Sequence, residues 1–173
     1  KVLYVAEFAL PWHFPQITSG AGSVKKAAKI LKQNKINNVI VVTDKGLSSL
    51  GLLDNMLKSL KDAGIRYCIF DGVQPNPTIY NIEDAREMYL ANDCQGIIAF
   101  GGGSPMDCAK AMAARIVNPK KSVADMGGLL KVGKKIPTMI AIPTTAGTGS
   151  ETTLAAVVSN PETHEKYPIN DPH

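Results

Sequence analysis

The chain has 173 residues, of which 45% are hydrophobic and 20% charged, and no segment is of low complexity. This composition is typical of one globular domain with a substantial core. The 19 basic and 15 acidic residues give a net charge of +4, and the lysines are scattered along the chain. Such a distribution suits an anionic small molecule and argues against nucleic acid as a partner.

No apolar run approaches the length of a bilayer span, and the amino-terminal residues lack the pattern of a signal peptide. We therefore expect a cytoplasmic protein without a membrane partner. The three cysteines form no CxxC motif and cannot all pair with one another, which favours a reducing compartment. Their apolar surroundings predict buried small hydrophobic residues, with a reactive thiol as the alternative. They are Cys68, Cys94 and Cys108.

Strand and helix patterns alternate along the chain. Apolar, β-branched runs without polar alternation predict strands that are covered on both faces, at residues 37–44, 65–70, 95–100 and 137–143. Helical spacing of apolar residues predicts the intervening helices, at residues 24–33, 50–63, 79–90 and 105–116. This order predicts an α/β fold with a Rossmann-like, doubly wound, mostly parallel sheet.

The last part of the sequence has a different pattern. Two apolar strips flank the turn signal at residues 160–162, which predicts an antiparallel β extension at the carboxyl-terminal end. The strip at residues 153–158 could pair with a second copy, giving a homodimer. The sequence starts at Lys1 and stops without a closing element, so we expect the natural protein to be longer.

A glycine run follows the third predicted strand, in the stretch AFGGGSPMDCAKA at residues 99–111. In an open parallel sheet, ligands bind where such loops leave the carboxyl ends of the strands. Gly101, Gly102 and Gly103 allow close approach of a ligand to the backbone, and the next helix directs free N–H groups toward an anion such as a diphosphate. Ser104 is predicted as the N-cap, with Asp107 completing a capping box, contacting the ligand or orienting a neighbouring group.

A second glycine-rich turn, IPTTAGTGSE at residues 142–151, follows the fourth predicted strand. The hydroxyl groups of Thr144, Thr145 and Thr148 could contact phosphate or ribose, although such residues also form ordinary polar loops. Two similar loops at one edge of the sheet favour a binding crevice. By contrast, Gly20 and Gly22 precede a poor strand match and fail the dinucleotide fingerprint.

Asp44 ends the first predicted strand at the same edge of the sheet. Its carboxylate could bind the hydroxyl groups of an adenosine ribose and repel a 2′-phosphate, which would favour NAD over NADP. It could equally cap the following turn, Asp-Lys-Gly, and the sequence leaves both roles open.

The motifs GGGSPMDCAK (101–110), IPTTAGTGSE (142–151) and VVTDKGL (41–47) resemble those of the iron-dependent, or group III, alcohol dehydrogenases. PNPT at 75–78 and DPH at 171–173 are similar as well. The resemblance covers nearly the whole chain. It implies an amino-terminal NAD(P)-binding domain over residues 1–173, which complete members join to a helical domain that holds a divalent metal. That helical domain is expected to be absent from this sequence.

The resemblance also implies roles for single residues. Gly102, Gly103 and Ser104 would bind the pyrophosphate, and Thr144 and Thr145 would line the nucleotide. Three further residues complete the expected cofactor site: Lys166 at the ribose, Asp44 as the acid that favours NAD, and Asn76 nearby.

The family binds Fe²⁺ or Zn²⁺ through one aspartate and three histidines beyond these motifs. This sequence has only His13, His164 and His173, none at a helical ligand spacing, and we expect them at the surface. No metal ligand and no catalytic residue is therefore predicted within this chain, which alone would turn over little substrate.

The complete protein is thus expected to transfer hydride between nicotinamide and a primary alcohol or diol, with the aldehyde as the other reactant. Three alternatives stay open. A dehydroquinate synthase or glycerol dehydrogenase-like enzyme also carries a GGG turn followed by aspartate, although PTTAGTGSE favours the alcohol dehydrogenases. A non-catalytic nucleotide-binding module would bind the cofactor without any activity. An RNA-binding protein is the third alternative, but the sequence lacks the set of aromatic residues on a strand and the cluster of lysines and arginines that such a protein would have.

Overall fold

A computed structural model of the protein describes residues 15–172. Its centre is a parallel sheet with the strand order β2-β1-β3-β5. The strands lie within two residues of the predicted positions: β1 is Asn38–Val42, β2 Arg66–Phe70, β3 Gly96–Gly101 and β5 Met139–Pro143. The predicted α/β fold with a doubly wound, mostly parallel sheet is therefore confirmed.

Helices connect these strands, and short 3₁₀ turns lie at Ser23–Lys25 and Ala124–Met126. The α-helices are α1 (Lys26–Gln33), α2 (Lys45–Ser49), α3 (Asp54–Asp62), α4 (Ile79–Ala91) and α5 (Gly103–Val117). Helix α2 was not predicted, because a five-residue segment with one glycine and two serines has little intrinsic helix preference. The segment 50–53 is a turn, so α3 is shorter than the predicted helix.

The core lies in two layers, one on each face of the sheet. Ile40 and Ile97 belong to the cluster that α4 and α5 cover, whereas Val41 and Ile98 belong to the cluster that α1 and α3 cover. Successive strand residues point to opposite faces, so β1 and β3 must be apolar at nearly every position. The prediction that all four strands are buried on both faces is wrong for the two edge strands: the first residues of β2 are exposed, and β5 is only half-buried and ends at the exposed Pro143.

A smaller sheet packs beside the first, in the order β4-β7-β6. Strands β6 (Ala155–Ser159) and β7 (Lys166–Asn170) pair antiparallel around the predicted turn, which confirms the β extension. The two-residue strand β4 (Gly128–Leu129) adds in parallel to β7 and was too short to predict. Dimer formation through the strip 153–158 stays a prediction.

The order in which the chain adds strands to the sheet reverses at β1 and β3. From β1 the connection runs outward to β2, and the chain then crosses back to β3 on the other side of β1. In open α/β sheets such a reversal leaves a crevice outside the carboxyl ends of the two strands, where ligands bind. Among the described residues, no helix is long and apolar enough to cross a membrane.

Candidate dinucleotide site

The first glycine-rich loop joins β3 directly to α5. Gly101 has φ +150°, and a Cβ built on it would lie 2.6 Å from Cγ of Pro105 and 3.1 Å from Cδ1 of Leu47. Carbon atoms in contact are ordinarily about 3.5–4.0 Å apart, so only glycine fits at this position. Gly102 is the N-cap of α5, and within residues 15–172 no side chain caps the helix. The first turn of α5 therefore presents backbone N–H groups without a side-chain acceptor at the edge of the sheet.

The predicted N-cap at Ser104 is wrong. Helix α5 begins at Gly103, so Ser104 and Pro105 are its second and third residues. The Ser104 hydroxyl instead accepts a hydrogen bond from the N–H of Asn76 at 3.2 Å. Pro105 is tolerated because N–H groups of the first turn have no intrahelical acceptor. The capping box with Asp107 is wrong as well, since its carboxylate binds a distant segment.

The second glycine-rich loop follows β5 and packs against the first. The N–H of Thr144 donates to the carbonyl oxygen of Gly101 at 2.9 Å. A Cβ built on Gly102 would lie 3.2 Å from Oγ1 of Thr145, which leaves little space between the loops. The two glycine-rich loops are thus in direct contact at one edge of the sheet, and the binding crevice that they are predicted to border stays a prediction. Three threonines of the second loop are exposed to solvent: Thr144, Thr145 and Thr148.

Gly103 is less restricted than its neighbours. A Cβ at this position would lie 3.6 Å from Cγ2 of Thr148, an ordinary van der Waals distance. Gly103 and Thr148 therefore lie next to each other at the amino end of α5. A side chain larger than alanine at residue 103 would meet Thr148 of the second glycine-rich loop.

Asp44 follows β1 at the same edge and caps α2. Its Oδ1 accepts a hydrogen bond from the N–H of Leu47 at 3.0 Å, so the capping role is confirmed. Leu47 also approaches Gly101, which places the Asp44 turn beside the first glycine-rich loop. The carboxylate is only partly buried, so its second oxygen is not committed by the cap. Its predicted contact with ribose stays a prediction.

Asn76 lies next to the amino end of α5 in a strained turn. Its φ is +56°, in the left-handed region that asparagine tolerates better than most residues. Next to it, the carbonyl oxygen of Pro77 accepts from the N–H of Ser159, which ties this turn to β6. Lys166 is the strand partner of Ser159 and is exposed. The predicted residues Asn76 and Ser104 are therefore in contact, and Lys166 lies across the hairpin from the same turn.

Asp107 joins α5 to the chain that follows the second glycine-rich loop. Its Oδ1 accepts from the Ser150 hydroxyl at 2.5 Å, and its Oδ2 accepts from the N–H of Val157 at 3.1 Å. One turn later, Lys110 donates to the carbonyl oxygen of Thr153 at 2.9 Å. Burial lowers the pKa of the Lys110 ammonium, while the neighbouring carboxylate of Asp107 opposes that shift.

Ser150 and Lys110 were not predicted as site residues. Both lie within the quoted motifs, GTGSE and SPMDCAK, yet their partners are far away in sequence. Only the motifs themselves could have indicated them, since no local pattern identifies such long-range contacts.

The described residues do not provide a metal centre. Among residues 15–172, no group of three or more histidine, cysteine or acidic side chains could hold a metal ion. His164 is exposed as predicted, whereas His13 and His173 lie outside the described residues. The donor set that Fe²⁺ or Zn²⁺ requires is therefore not found in this part of the chain.

Buried cysteines are confirmed at two positions. Cys94 and Cys108 are buried, and Cys68 is half-buried with its Sγ 3.7 Å from Sγ of Cys94. The hydrogen bond from Cys94 lowers the pKa of Cys68. Burial raises the pKa of Cys108 to about 12, so that thiol is protonated at neutral pH.

Comparison with known proteins agrees with this geometry. Alcohol dehydrogenase 4 of Schizosaccharomyces pombe is 39% identical over 154 residues, which is 89% of this chain and 36% of that relative. The crystal structure of a 1,3-propanediol oxidoreductase superposes with a TM-score of 0.88 at 32% identity, over 94% of this chain and 43% of that one. Sulfoacetaldehyde reductase from Bifidobacterium kashiwanohense, solved in complex with NAD⁺, superposes with a TM-score of 0.76 at 31% identity. The match covers 94% of this chain and 44% of the reductase.

The chain thus spans less than half the length of the relatives it matches. A sequence model of the iron-containing alcohol dehydrogenases matches residues 15–173, which includes both glycine-rich loops, the Asp44 turn and the β extension. The resemblance predicted from the motifs is confirmed: this chain belongs to the iron-containing alcohol dehydrogenase family.

Proposed function

We propose that this chain is the dinucleotide-binding part of an oxidoreductase that transfers hydride between nicotinamide and a primary alcohol or diol. The observation that carries the proposal is the contact between the two glycine-rich loops at the amino end of α5, which no side chain caps. An NAD⁺-bound relative with the same fold supports it.

The residues at this edge fit a dinucleotide. Backbone N–H groups of Gly103 and Ser104, at the positive end of the α5 dipole, would hold the pyrophosphate. The exposed hydroxyl groups of Thr144, Thr145 and Thr148 would donate to phosphate or ribose oxygens. When bound, the cofactor supplies the nicotinamide that accepts or gives the hydride. The chain's own part is to orient the cofactor and to neutralise its phosphates.

The Asp44 turn is proposed to determine the choice between NAD and NADP. Its partly buried carboxylate could accept from the ribose hydroxyl groups of NAD while it continues to cap α2. A 2′-phosphate would bring like charges together at this position, which is unfavourable. We expect Asn76 and Lys166 to border the cofactor on the side of the β extension.

The proposed reaction also needs a metal ion that acts on the alcohol or aldehyde substrate. Residues 15–172 do not offer a donor set for Fe²⁺ or Zn²⁺, so we propose that residues outside them hold the metal. No step of the reaction is assigned to a described side chain. The role proposed for this chain is cofactor binding.

Calorimetric titration of the 173-residue chain with NAD⁺, NADH, NADP⁺ and ADP-ribose tests the proposal. Gly103→Val should abolish binding because the valine would cover the backbone at the amino end of α5, where the pyrophosphate is proposed to bind. Asp44→Ser should keep the α2 cap, since serine also caps helices, but should reduce the preference for NAD⁺ over NADP⁺ by about tenfold. Asp84→Ser, at an exposed position of α4, is the matched control and should leave binding unchanged.

Two outcomes would contradict the proposal. A chain with a cooperative unfolding transition that binds none of the four ligands would exclude a preformed dinucleotide site. Equal binding by wild type and Gly103→Val would place the ligand away from the glycine-rich loops. Binding of ADP-ribose with an affinity close to that of NAD⁺ would indicate that the diphosphate, not the nicotinamide, is the main contact.

A further inference from the structure

Two charged residues of α5 hold the segment that leaves the second glycine-rich loop. Asp107 and Lys110 lie one helical turn apart, and we call them the latch residues. Asp107 binds Ser150 and Val157 through its two carboxylate oxygens, at 2.5 Å and 3.1 Å. Lys110 donates to the carbonyl oxygens of Thr153 at 2.9 Å and of Ala155 at 3.0 Å. It also approaches Oγ of Ser150 at 3.4 Å.

These contacts hold the end of the second glycine-rich loop against α5. Ser150 is buried, and it is the first residue after the sequence TTAGTG, whose threonines contact the first loop. Two further contacts are made to backbone groups of β6, at Ala155 and Val157, and the contact with Thr153 lies just before that strand. A side-chain latch of this kind determines where the loop ends and hence where its hydroxyl groups stand.

Charge also favours a role away from the cofactor. A carboxylate that faced the pyrophosphate would repel it, whereas both oxygens of Asp107 are engaged by donors of the protein. Hydrogen bonds to a charged group are stronger than neutral ones and are lost at a higher cost. The ammonium of Lys110 contributes compensating charge on the same face of α5.

We propose that Asp107 and Lys110 are positioning residues that hold the second glycine-rich loop in the geometry that binds the nucleotide, and that Asp107 acts through Ser150. This inference rests on the proposed function, and among the roles that the sequence leaves open for Asp107 it favours orientation of a neighbouring group over contact with the ligand. The loop belongs to the low-stability part of the structure, because most of its residues are exposed. Loss of the latch should therefore loosen the loop before it unfolds the domain.

A double-mutant cycle distinguishes the two roles of Asp107. Asp107→Ala should raise the Kd for NAD⁺ by about tenfold, the value of one lost hydrogen bond to a charged group. Ser150→Ala should raise the same Kd by a smaller factor. Adding Ser150→Ala to Asp107→Ala should have no further effect, because the two side chains act in one chain of contacts. If the two effects multiply instead, Asp107 contacts the cofactor independently of Ser150 and the proposal is overturned.

Hydrogen exchange tests the latch without any ligand. Amides of residues 145–152 and of Val157 should exchange faster in Asp107→Ala and in Lys110→Met, while the control Asp84→Ala should leave them unchanged. Unchanged protection of these amides in both latch variants would overturn the proposal. Lys110→Met keeps the aliphatic stem and serves as the readout if Asp107→Ala does not fold. Should the wild type fail to bind NAD⁺, the proposed function fails, and the exchange rates alone decide whether the latch exists.

Discussion

Replacing Gly101 by alanine should be much more damaging than the same change two residues later. At residue 101 the new Cβ would lie 2.6 Å from Cγ and 3.0 Å from Cβ of Pro105, about 1 Å inside ordinary contact. The proline ring cannot rotate away, and φ +150° is itself unfavourable for alanine. Backbone strain of about 1–3 kcal/mol and overpacking of about 1–3 kcal/mol together predict a loss of about 2–6 kcal/mol.

Gly103→Ala is the matched control. Its Cβ would meet Thr148 at 3.6 Å without overlap, and its position in α5 favours alanine over glycine. We expect its free energy of unfolding to stay within about 0.5 kcal/mol of wild type.

Urea unfolding followed by circular dichroism measures both variants. With a slope of about 2 kcal/mol per molar urea, Gly101→Ala should lower the unfolding midpoint by about 1–3 M, whereas Gly103→Ala should not move it appreciably. A midpoint for Gly101→Ala within about 0.3 M of wild type would refute the reasoning, because it would mean that Pro105 and Leu47 can retreat at no cost.

Three further predictions concern other parts of the chain. Thr43→Val should raise the free energy of unfolding by about 1 kcal/mol in urea titrations, because the fully buried Thr43 hydroxyl has no hydrogen-bond partner among the described residues. A lower free energy of unfolding in the variant would instead indicate that the hydroxyl group does have a partner. Glu83→Gln should lower the free energy of unfolding by about 1–3 kcal/mol, because Oε1 of Glu83 lies 2.5 Å from Nε of the buried Arg115. The loss should be smaller than for a fully buried ion pair, since the Glu83 side chain is 36% exposed. An unfolding free energy equal to that of wild type in the same assay would contradict this prediction. Iodoacetamide should alkylate Cys68 at a lower pH than the other thiols, because its lowered pKa gives the reactive thiolate first. Cys94→Ala should shift the pH midpoint of Cys68 alkylation upward, as measured by peptide mass spectrometry. An unchanged midpoint would rule out the hydrogen bond between the two thiols.

The fold could be predicted from sequence wherever burial imposed a continuous pattern. β1 and β3 are buried along their whole length, so their apolar runs located them to within two residues. β2 was located equally well, but its exposed edge could not be foreseen because strand order is a property of the whole sheet. Helix α2 was missed because the Asp44 side chain, rather than helix-favouring residues, starts it.

The sequence brought the two glycine-rich loops together correctly but misjudged the contacts that their residues make. Local rules assigned Ser104 and Asp107 to one capping box, since both residue types occur at these positions in helices with such a cap. In the folded chain, Ser104 is bound by Asn76, 28 residues earlier, and Asp107 by Ser150, 43 residues later. Long-range partners displaced the local ones because the helix begins two residues earlier than its proline suggests. A single sequence carries no signal for such contacts.

The three consecutive glycines have three different surroundings, and contacts within the protein explain two of them. Gly101 is required because its neighbours within the protein leave no room for a Cβ. Gly102 lies against the threonine of the second loop, so its lack of a side chain allows the two loops to meet. Gly103 alone has ordinary space above it, so neither strain nor packing demands glycine there. Close approach of a ligand to the Gly103 backbone stays a prediction, which is why Gly103 carries the binding test and Gly101 the stability test.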